Sequence, residues 1–439
     1  MNYQETCDYL YQQMPMFERQ GAAGYKEGLD NTLALDEHFG HPHRSYATIH
    51  VGGTNGKGSV SHTIAALLQE VGYRVGLYTS PHLVDFSERI RVNGKPISEE
   101  YVVNFVKNER SFFEPLSPSF FEVTTALAFK YFQDMEVDIA VIEVGLGGRL
   151  DCTNIITPIL SVITNISFDH TQFLGNTLAE IASEKAGIIK PGVPVVIGEA
   201  NSETRPVFED KARSVGAPIT FAEDDKEILS AEIRPKGGMT YQTRHYGVPL
   251  QGDLGGIYQE KNTNTAIHAF RALSKIGYLT PIKEGMDFEK SLYELSTALK
   301  NVCSYTGLQG RWQVIQHAPM VVCDTGHNIG GWQYLSRQLS LVKCNNMHIV
   351  FGMVNDKDVN GVLALLPKNA TYYFTKSQSK RAVTETSLQL LASKTGLEGT
   401  AYPTVREAYS AAMQKAKAND FVFIGGSSYV VGDFLKTCL

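Results

Sequence analysis

The run Ile49-His50-Val51-Gly52-Gly53-Thr54-Asn55-Gly56-Lys57-Gly58-Ser59 decides how this chain is read. An apolar strand enters a glycine-rich turn with one lysine, and a helical pattern follows from Val60 to Glu70. Proteins wrap backbone N–H groups around a phosphate in this way, at the start of a helix. The glycines allow positive φ and close backbone approach, Lys57 can neutralise β/γ-phosphate charge, and the Ser59 hydroxyl can serve Mg²⁺. Two positions depart from the general phosphate-loop pattern: Val51 holds the first glycine position, and Gly58 follows Lys57 where Ser or Thr is expected. The plainer alternative is a strand-to-helix turn with a solvated lysine. The flanking strand and helix favour nucleoside triphosphate binding.

At 439 residues the chain exceeds one ordinary core, and two domains are expected. Hydrophobic residues at 43% and charged residues at 20% are globular values. Forty basic against 46 acidic residues give a net charge of -6, with no long basic run, so small anionic ligands are expected and nucleic acid is not. Cys7, Cys152, Cys303, Cys323, Cys344 and Cys438 are scattered without a C-x-x-C pair, as reduced thiols of a cytoplasmic protein would be. The start Met1-Asn2-Tyr3-Gln4-Glu5 has no secretory pattern and no apolar run approaches spanning length, so no membrane association is expected.

Outward from the glycine-rich turn, strand-like runs alternate with helical patterns: Ala47 to Val51, Arg74 to Tyr78, Ile139 to Val144, Ile159 to Asn165 and Val193 to Ile197. This predicts an α/β fold with a mostly parallel sheet and the turn at its carboxyl edge. Ala217 to Gly256 reads as a peripheral β-rich elaboration, with Met239 to His245 alternating like an exposed antiparallel strand. Helical patterns return over Gln259 to Ile276 and Asp287 to Lys300. A second, smaller α/β series follows at Trp312 to Gln316, Met320 to Asp324, His348 to Met353, Thr371 to Thr375 and Phe421 to Gly425. The expected division is a first domain over 1–300, a linker over 301–310 and a C-terminal domain over 311–439.

Polar clusters stand at the ends of the first domain's expected strands. Thr79-Ser80-Pro81-His82-Leu83 follows one, Glu143 lies inside an apolar run before Gly145-Leu146-Gly147-Gly148-Arg149-Leu150-Asp151, and Phe168-Asp169-His170-Thr171 follows another. A carboxylate in an apolar strand is costly without a cation or donors, and Mg²⁺ shared with phosphates is an economical partner. Ser80, Glu143 and His170 are therefore candidate ligands, although each alone reads as a turn cap, an arginine partner or a core histidine. Lys185, ending a helical pattern from Leu178, is ordinarily a surface charge favoured by the helix dipole. Beside a metal-phosphate site it could instead add CO₂ and become a carbamate. Arg311 could offer a planar fork to phosphate and Asp324 could accept ribose hydroxyl protons, or the two could serve a linker salt bridge and a turn.

The ordered set His50 to Ser59, Ser80-Pro81-His82-Leu83 with Glu88-Arg89-Ile90, Glu143 to Asp151, Asp169-His170, Glu184-Lys185-Ala186-Gly187-Ile188, Asp324-Thr325-Gly326-His327-Asn328 and Gly352 to Asp358 resembles the signature of folylpolyglutamate synthases and dihydrofolate synthases, members of the Mur ligase superfamily. The resemblance runs from about Tyr3 to Gly425, and the unusual phosphate loop is the family's own form. It implies a Mur-ligase-like central P-loop ATPase domain and a smaller Rossmann-like C-terminal domain on the glutamate side. It also implies an ATP-dependent amide ligase, bifunctional in bacterial members, that activates the carboxylate of dihydropteroate, a reduced folate or both as an acyl phosphate and joins it to L-glutamate.

By the same resemblance Asn55, Gly56, Lys57, Gly58 and Ser59 cradle ATP, with Asn262, Arg311, Asp324 and His327 as further nucleotide contacts. Ser80, Glu143, His170 and a carbamylated Lys185 hold two Mg²⁺ ions, and Lys57, His170 and Lys185 act in catalysis. Phe121, Glu122, Leu150, Asp151 and Cys152 resemble the pterin-binding segments, and a monomer is expected. Four positions depart from the family's habit: Thr325-Gly326 for Gly-Ala, Tyr258 for His, Thr263 for Ala and Cys152 for Ala. A ligase acting on a UDP-linked cell-wall precursor is the alternative enzyme, but about fifty residues before the phosphate loop leave little room for a separate UDP-binding domain. A non-catalytic nucleotide-binding regulator would have no reason to keep Lys57, Glu143, His170 and Lys185 together.

Overall fold

The strand that feeds the phosphate loop, β1 (Ala47–Gly52), lies inside an eight-stranded sheet and is buried on both faces, Ile49 and Val51 on one and Thr48 and His50 on the other. A computed structural model describes residues 1–15, 28–279 and 286–439. The other strands of this sheet are β2 (Val75–Tyr78), β3 (Ile90–Val92), β4 (Lys95–Pro96), β5 (Ile139–Glu143), β6 (Leu160–Ile163), β7 (Val195–Ile197) and β8 (Ile219–Phe221). Their order is β4-β3-β2-β5-β1-β6-β7-β8. From β2 to β8 every pairing is parallel, while β3 and β4 close one edge as antiparallel strands. Since β5 and β6 flank β1, the segments after β1, β5 and β6 leave the same carboxyl edge side by side, where open α/β sheets bind ligands.

The chain forms two compact units: 1–230, 241–252 and 260–308 make the first; 231–240, 253–259 and 309–439 make the second. In the first, one core gathers Tyr78, Ala140 and Ile142 with Phe105, Phe113 and Phe129, and another gathers Ile163, Val195 and Ile197 with Ile188 and Phe208. Each fully buried Ile, Val or Phe side chain there contributes roughly 1.5–3 kcal/mol relative to exposure.

The second unit is built on a six-stranded sheet of β12 (Gln313–His317), β13 (Met320–Asp324), β14 (Met347–Phe351), β15 (Thr371–Phe374), β16 (Gly399–Ala401) and β17 (Phe421–Gly425), in the order β12-β13-β17-β14-β15-β16. All but β12 run parallel. Strand alternation sends Val322, Ile349, Phe351, Phe421 and Phe423 to one core and Val321, Val350, Val422 and Ile424 to the other. Nearly continuous apolar strands follow from this two-sided burial.

Two segments differ from their sequence reading. Within the stretch expected to be peripheral, Ile219–Phe221 extends the main sheet in parallel with β7, and only β9 (Ile228–Ile233), β10 (Met239–Thr243) and β11 (Leu250–Gly252) form a separate three-stranded sheet. A three-residue strand is too short to show a period, so its sheet was not legible. The 301–310 segment expected as a linker carries the helix Val302–Thr306, and His62 Nδ1 lies 2.7 Å from Thr306 Oγ1 while the Tyr305 hydroxyl donates to Glu70 at 2.8 Å. Thr306 and Tyr305 thus tie this segment to the helix Lys57–Glu70. Among the described residues, no helix is long and apolar enough to cross a membrane.

Candidate active site

Gly56 caps the helix Lys57–Glu70 in the left-handed region at φ 84°, and Gly53 sits at φ 136°. Both conformations favour glycine. The loop is braced from the end of β6. Thr164 donates its hydroxyl to Asn55 O at 2.6 Å, Asn165 Oδ1 accepts the Asn55 N–H at 3.0 Å, and Asn55 Nδ2 donates to Ser167 Oγ at 3.0 Å. The sequence reading missed this brace, although the polar run Thr164-Asn165-Ile166-Ser167 at a strand end was its signal. Lys57 Nζ donates to Gly53 O at 3.1 Å and Thr54 O at 3.3 Å, so its charge is held over the loop. Gly58 and Ser59 are buried in the first turn, and Asn262, also buried, approaches Gly56 so closely that a Cβ there would lie 3.1 Å from Asn262 Cγ.

Glu143 ends β5 opposite Val51 and is 4% exposed, so its carboxylate stands at the carboxyl edge beside the phosphate-loop strand. Ser80 follows β2, the neighbour of β5 on the other side, and is joined to Pro81 by a cis bond. His170 adopts φ 51° at the start of the short helix Thr171–Leu174, with Nε2 3.8 Å from Asp169 Oδ1. Lys185, in the helix Leu178–Ala186, is 4% exposed. Burial and then the positive charge of Lys57 lower its pKa to about 7, against the opposing pull of Asp169 and Asp151. Lys57, Lys185, Asp169 and Asp151 thus share one electrostatic environment. Among the described residues no three His, Cys, Asp or Glu side chains cluster as a metal site.

The expected pterin residues divide into two kinds. Phe121 is half-buried, stacks on Tyr78 with centroids 5.8 Å apart, and packs against Gly145, where a Cβ would lie 2.7 Å from Phe121 Cε1. Glu122 is instead engaged within its own helix start: Ser119 N–H donates to it at 2.6 Å in a capping box, and Asn31 Nδ2 lies 3.4 Å away. Asp151 is likewise engaged locally. It caps the turn Cys152–Ile155, accepts the Leu146 N–H at 2.8 Å and the Thr153 N–H at 3.0 Å, and takes a bond from the Thr153 hydroxyl. Leu150 and Cys152 are partly exposed beside it, and burial with the neighbouring carboxylates pushes the Cys152 thiol well up.

In the second unit Asp324 ends β13 at 3% exposure and accepts from the Tyr258 hydroxyl, from Trp312 N–H at 2.8 Å and from Gly326 N–H at 2.8 Å. Arg311 bonds Thr325 Oγ1 and donates to Gly310 O at 3.2 Å, while Thr325 N–H reaches the same carbonyl at 3.0 Å. Tyr258 and Thr325, two departures from the family habit, are therefore the partners that hold Asp324 and Arg311. His327 Nδ1 lies 3.1 Å from Thr325 O, just before the helix Ile329–Leu341. Burial raises the Asp324 pKa, and the Tyr258 bond opposes that rise. Tyr258→Phe is expected to cost roughly 1–3 kcal/mol at neutral pH, the penalty of an under-satisfied buried carboxylate. The deficit should shrink as pH falls and Asp324 protonates, in urea unfolding followed at several pH values.

Two family descriptions match the chain: "Mur ligase middle domain" over residues 51–270 and "Mur ligase, glutamate ligase domain" over residues 310–428. A dihydrofolate synthase/folylpolyglutamate synthase of Bacillus subtilis is 33% identical over 424 residues, covering 94% of this chain and 95% of that protein. The structure of E. coli FolC with DHPP and ADP is similar with TM-score 0.81 and 29% identity, covering 100% of this chain and 98% of that one. A bifunctional folylpolyglutamate synthase/dihydrofolate synthase with Mn, AMPPNP and L-glutamate bound is similar with TM-score 0.79 and 26% identity, covering 100% and 98%.

Proposed function

Because the chain belongs to the dihydrofolate synthase/folylpolyglutamate synthase family of Mur ligases, we infer that it is an ATP-dependent ligase that adds L-glutamate to a pterin-bearing acid, using a divalent metal. The acceptors proposed are dihydropteroate, reduced folates or both. A carboxylate oxygen of the acceptor attacks the γ-phosphorus of ATP, the bond to the bridging oxygen breaks, and ADP leaves. The glutamate amine then attacks the acyl carbon, phosphate departs with the C–O electron pair, and the amine loses its proton. Phosphate is the better leaving group, which is why the first step is needed.

The observation that carries this reading is the phosphate loop with buried Glu143 paired beside it on β5. Loop N–H groups of Gly56, Lys57 and Gly58 and the Lys57 ammonium offset charge on the transferred phosphoryl group, with Asn55 holding the loop through its bonds to Asn165 and Ser167. The donor set fits a divalent metal: Glu143 sets a buried carboxylate at the carboxyl edge, Ser80 follows the adjacent strand, and buried Lys185 has an amine whose lowered pKa suits addition of CO₂. Ser80, Glu143, His170 and carbamylated Lys185 are the proposed holders of two Mg²⁺ ions. The metal when bound would neutralise phosphate charge.

Phe121 offers a face for the pterin ring, and Leu150 and Cys152 its partly exposed surroundings. Glu122 and Asp151, with their carboxylates bonded locally, serve the pterin site chiefly by shaping it. Asn262, Arg311, Asp324 and His327 are retained as proposed nucleotide contacts. The proposed functional division is 1–300 for ATP and pterin and 311–439 for glutamate, in a monomer.

Purified protein with ATP, Mg²⁺ and L-glutamate should release phosphate when given dihydropteroate or a reduced folate. Release only with a UDP-linked acceptor, or with none, would refute the reading. Running the two pterin acceptors separately decides between single and dual activity.

A further inference from the structure

His50 belongs to the phosphate-loop strand, is fully buried, and takes no part in the proposed reaction steps. Its Nε2 lies 2.8 Å from Thr153 Oγ1, and that hydroxyl in turn bonds Asp151 Oδ1. Asp151 Oδ2 accepts the Leu146 N–H, and Gly145 N–H also supports this carboxylate. The chain of contacts therefore runs from β1 to the turn that directly follows Glu143.

Counting protons gives the chain a direction. A threonine hydroxyl has one hydrogen. Burial raises the Asp151 pKa, but the Leu146 and Thr153 N–H groups donate to its two oxygens, and as a carboxylate it only accepts, so Thr153 spends its hydrogen there and accepts from His50. His50 is then the neutral Nε2–H tautomer, and burial, aided by Lys190, holds its pKa down at about 3. Its Nδ1 has no hydrogen-bond partner among the described residues, which agrees with an unprotonated nitrogen.

We propose that His50 is a positioning residue: through Thr153 and Asp151 it fixes the Gly145–Leu146 turn to the phosphate-loop strand. The proposal rests on the functional reading above for why that turn matters. Gly145 carries the Phe121 ring on one side and follows Glu143 by two residues on the other. Holding the turn thus sets the acceptor platform that the Phe121 ring provides. The phosphate loop itself is braced separately, by Thr164, Asn165 and Ser167. Loss of the relay should therefore leave ATP binding intact.

The test is a cycle of Thr153→Val, His50→Phe and the double variant, with Thr153→Ser as the conservative control. Each single variant is expected to lower kcat by about tenfold or more and raise the acceptor KM, with ATP affinity within about twofold of wild type. The double variant should be no worse than the poorer single one, and Thr153→Ser should return kcat to within about threefold of wild type. Unchanged kcat and acceptor KM in Thr153→Val, additive losses, or ATP affinity falling in step would each overturn the proposal.

Nitrogen NMR of histidine-labelled protein gives a readout independent of turnover. His50 should appear as the Nε2–H tautomer and not titrate between about pH 5 and 8, and Thr153→Val should speed amide exchange at Leu146. The other tautomer, a titrating ring or unaltered exchange would refute the relay. A wild-type enzyme inactive with every pterin acceptor would refute the functional reading instead, leaving these spectra to decide the relay.

Discussion

Lys185→Ala is expected to lower glutamate-dependent phosphate release by about a hundredfold or more, the scale at which loss of charge stabilisation in a transition state is felt. The argument begins with burial: a lysine at 4% exposure beside Lys57 cannot comfortably keep its proton, and its pKa falls to about 7. Neutral amine is the form that adds CO₂, and the carbamate reverses the sign of the side chain. At fixed CO₂ pressure the carbamylated share should fall as pH drops through about 7, and activity with it. Exhaustive CO₂ removal should mimic the substitution, and labelled bicarbonate should give a carbamate carbon signal absent from Lys185→Ala.

Stability should move the other way. A lysine with a depressed folded pKa opposes folding below its unfolded value of 10.5, most fully below about 7. Alanine removes that penalty, so at pH 7 the variant is expected to melt no lower than the parent. Wild-type activity independent of CO₂, or undiminished turnover in Lys185→Ala, would count against the carbamate.

Gly53→Ala is expected to weaken ATP binding by about a hundredfold or more, equivalent to about 3 kcal/mol. Two penalties combine at this residue. Its φ of 136° is a conformation that a Cβ resists, and the added carbon would fall inside Thr164 Oγ1 and 3.0 Å from Thr164 N. Thr164 cannot step aside cheaply, because its hydroxyl holds Asn55 O and its N–H holds Gly52 O at 3.0 Å. Accommodating the methyl group therefore breaks the brace that shapes the phosphate cradle. Gly192→Ala is the control: φ is 68° but nothing lies within 4 Å, so it should cost only about 1 kcal/mol of strain and leave nucleotide affinity alone. Calorimetric titration with ATP compares the two. Equal affinities in wild type and Gly53→Ala would defeat the steric account.

Much of this was legible in the order of residues. The parallel strands at Ala47, Ile139 and Phe421 stand where apolar runs and flanking turns put them, because two-sided burial writes itself as uninterrupted hydrophobicity. Positive-φ glycines at Gly53 and Gly56 were legible for a similar reason, since the backbone requirement is local. Glu122 and Asp151 show where such reading stops. Each is an acid in a segment that resembles a pterin site, yet Ser119 and Asn31 engage one and Thr153 and Leu146 the other. No spacing rule reveals that such an acid also caps its own turn.

Local sequence, then, was sufficient for the phosphate loop, the two α/β series and the set of residues that marks the family, because each depends on neighbours within a few positions or on an ordered motif. Tertiary structure alone decided what the buried groups do. It joined β8 to the main sheet, packed the helix Val302–Thr306 where a linker was expected, and gave Asp324 its Tyr258 partner from 66 residues away. Lys185 acquires its depressed pKa, and His50 its bond to Thr153, in the same way. Desolvation and hydrogen-bond partnership are properties of the folded surroundings, and a one-dimensional pattern does not contain them.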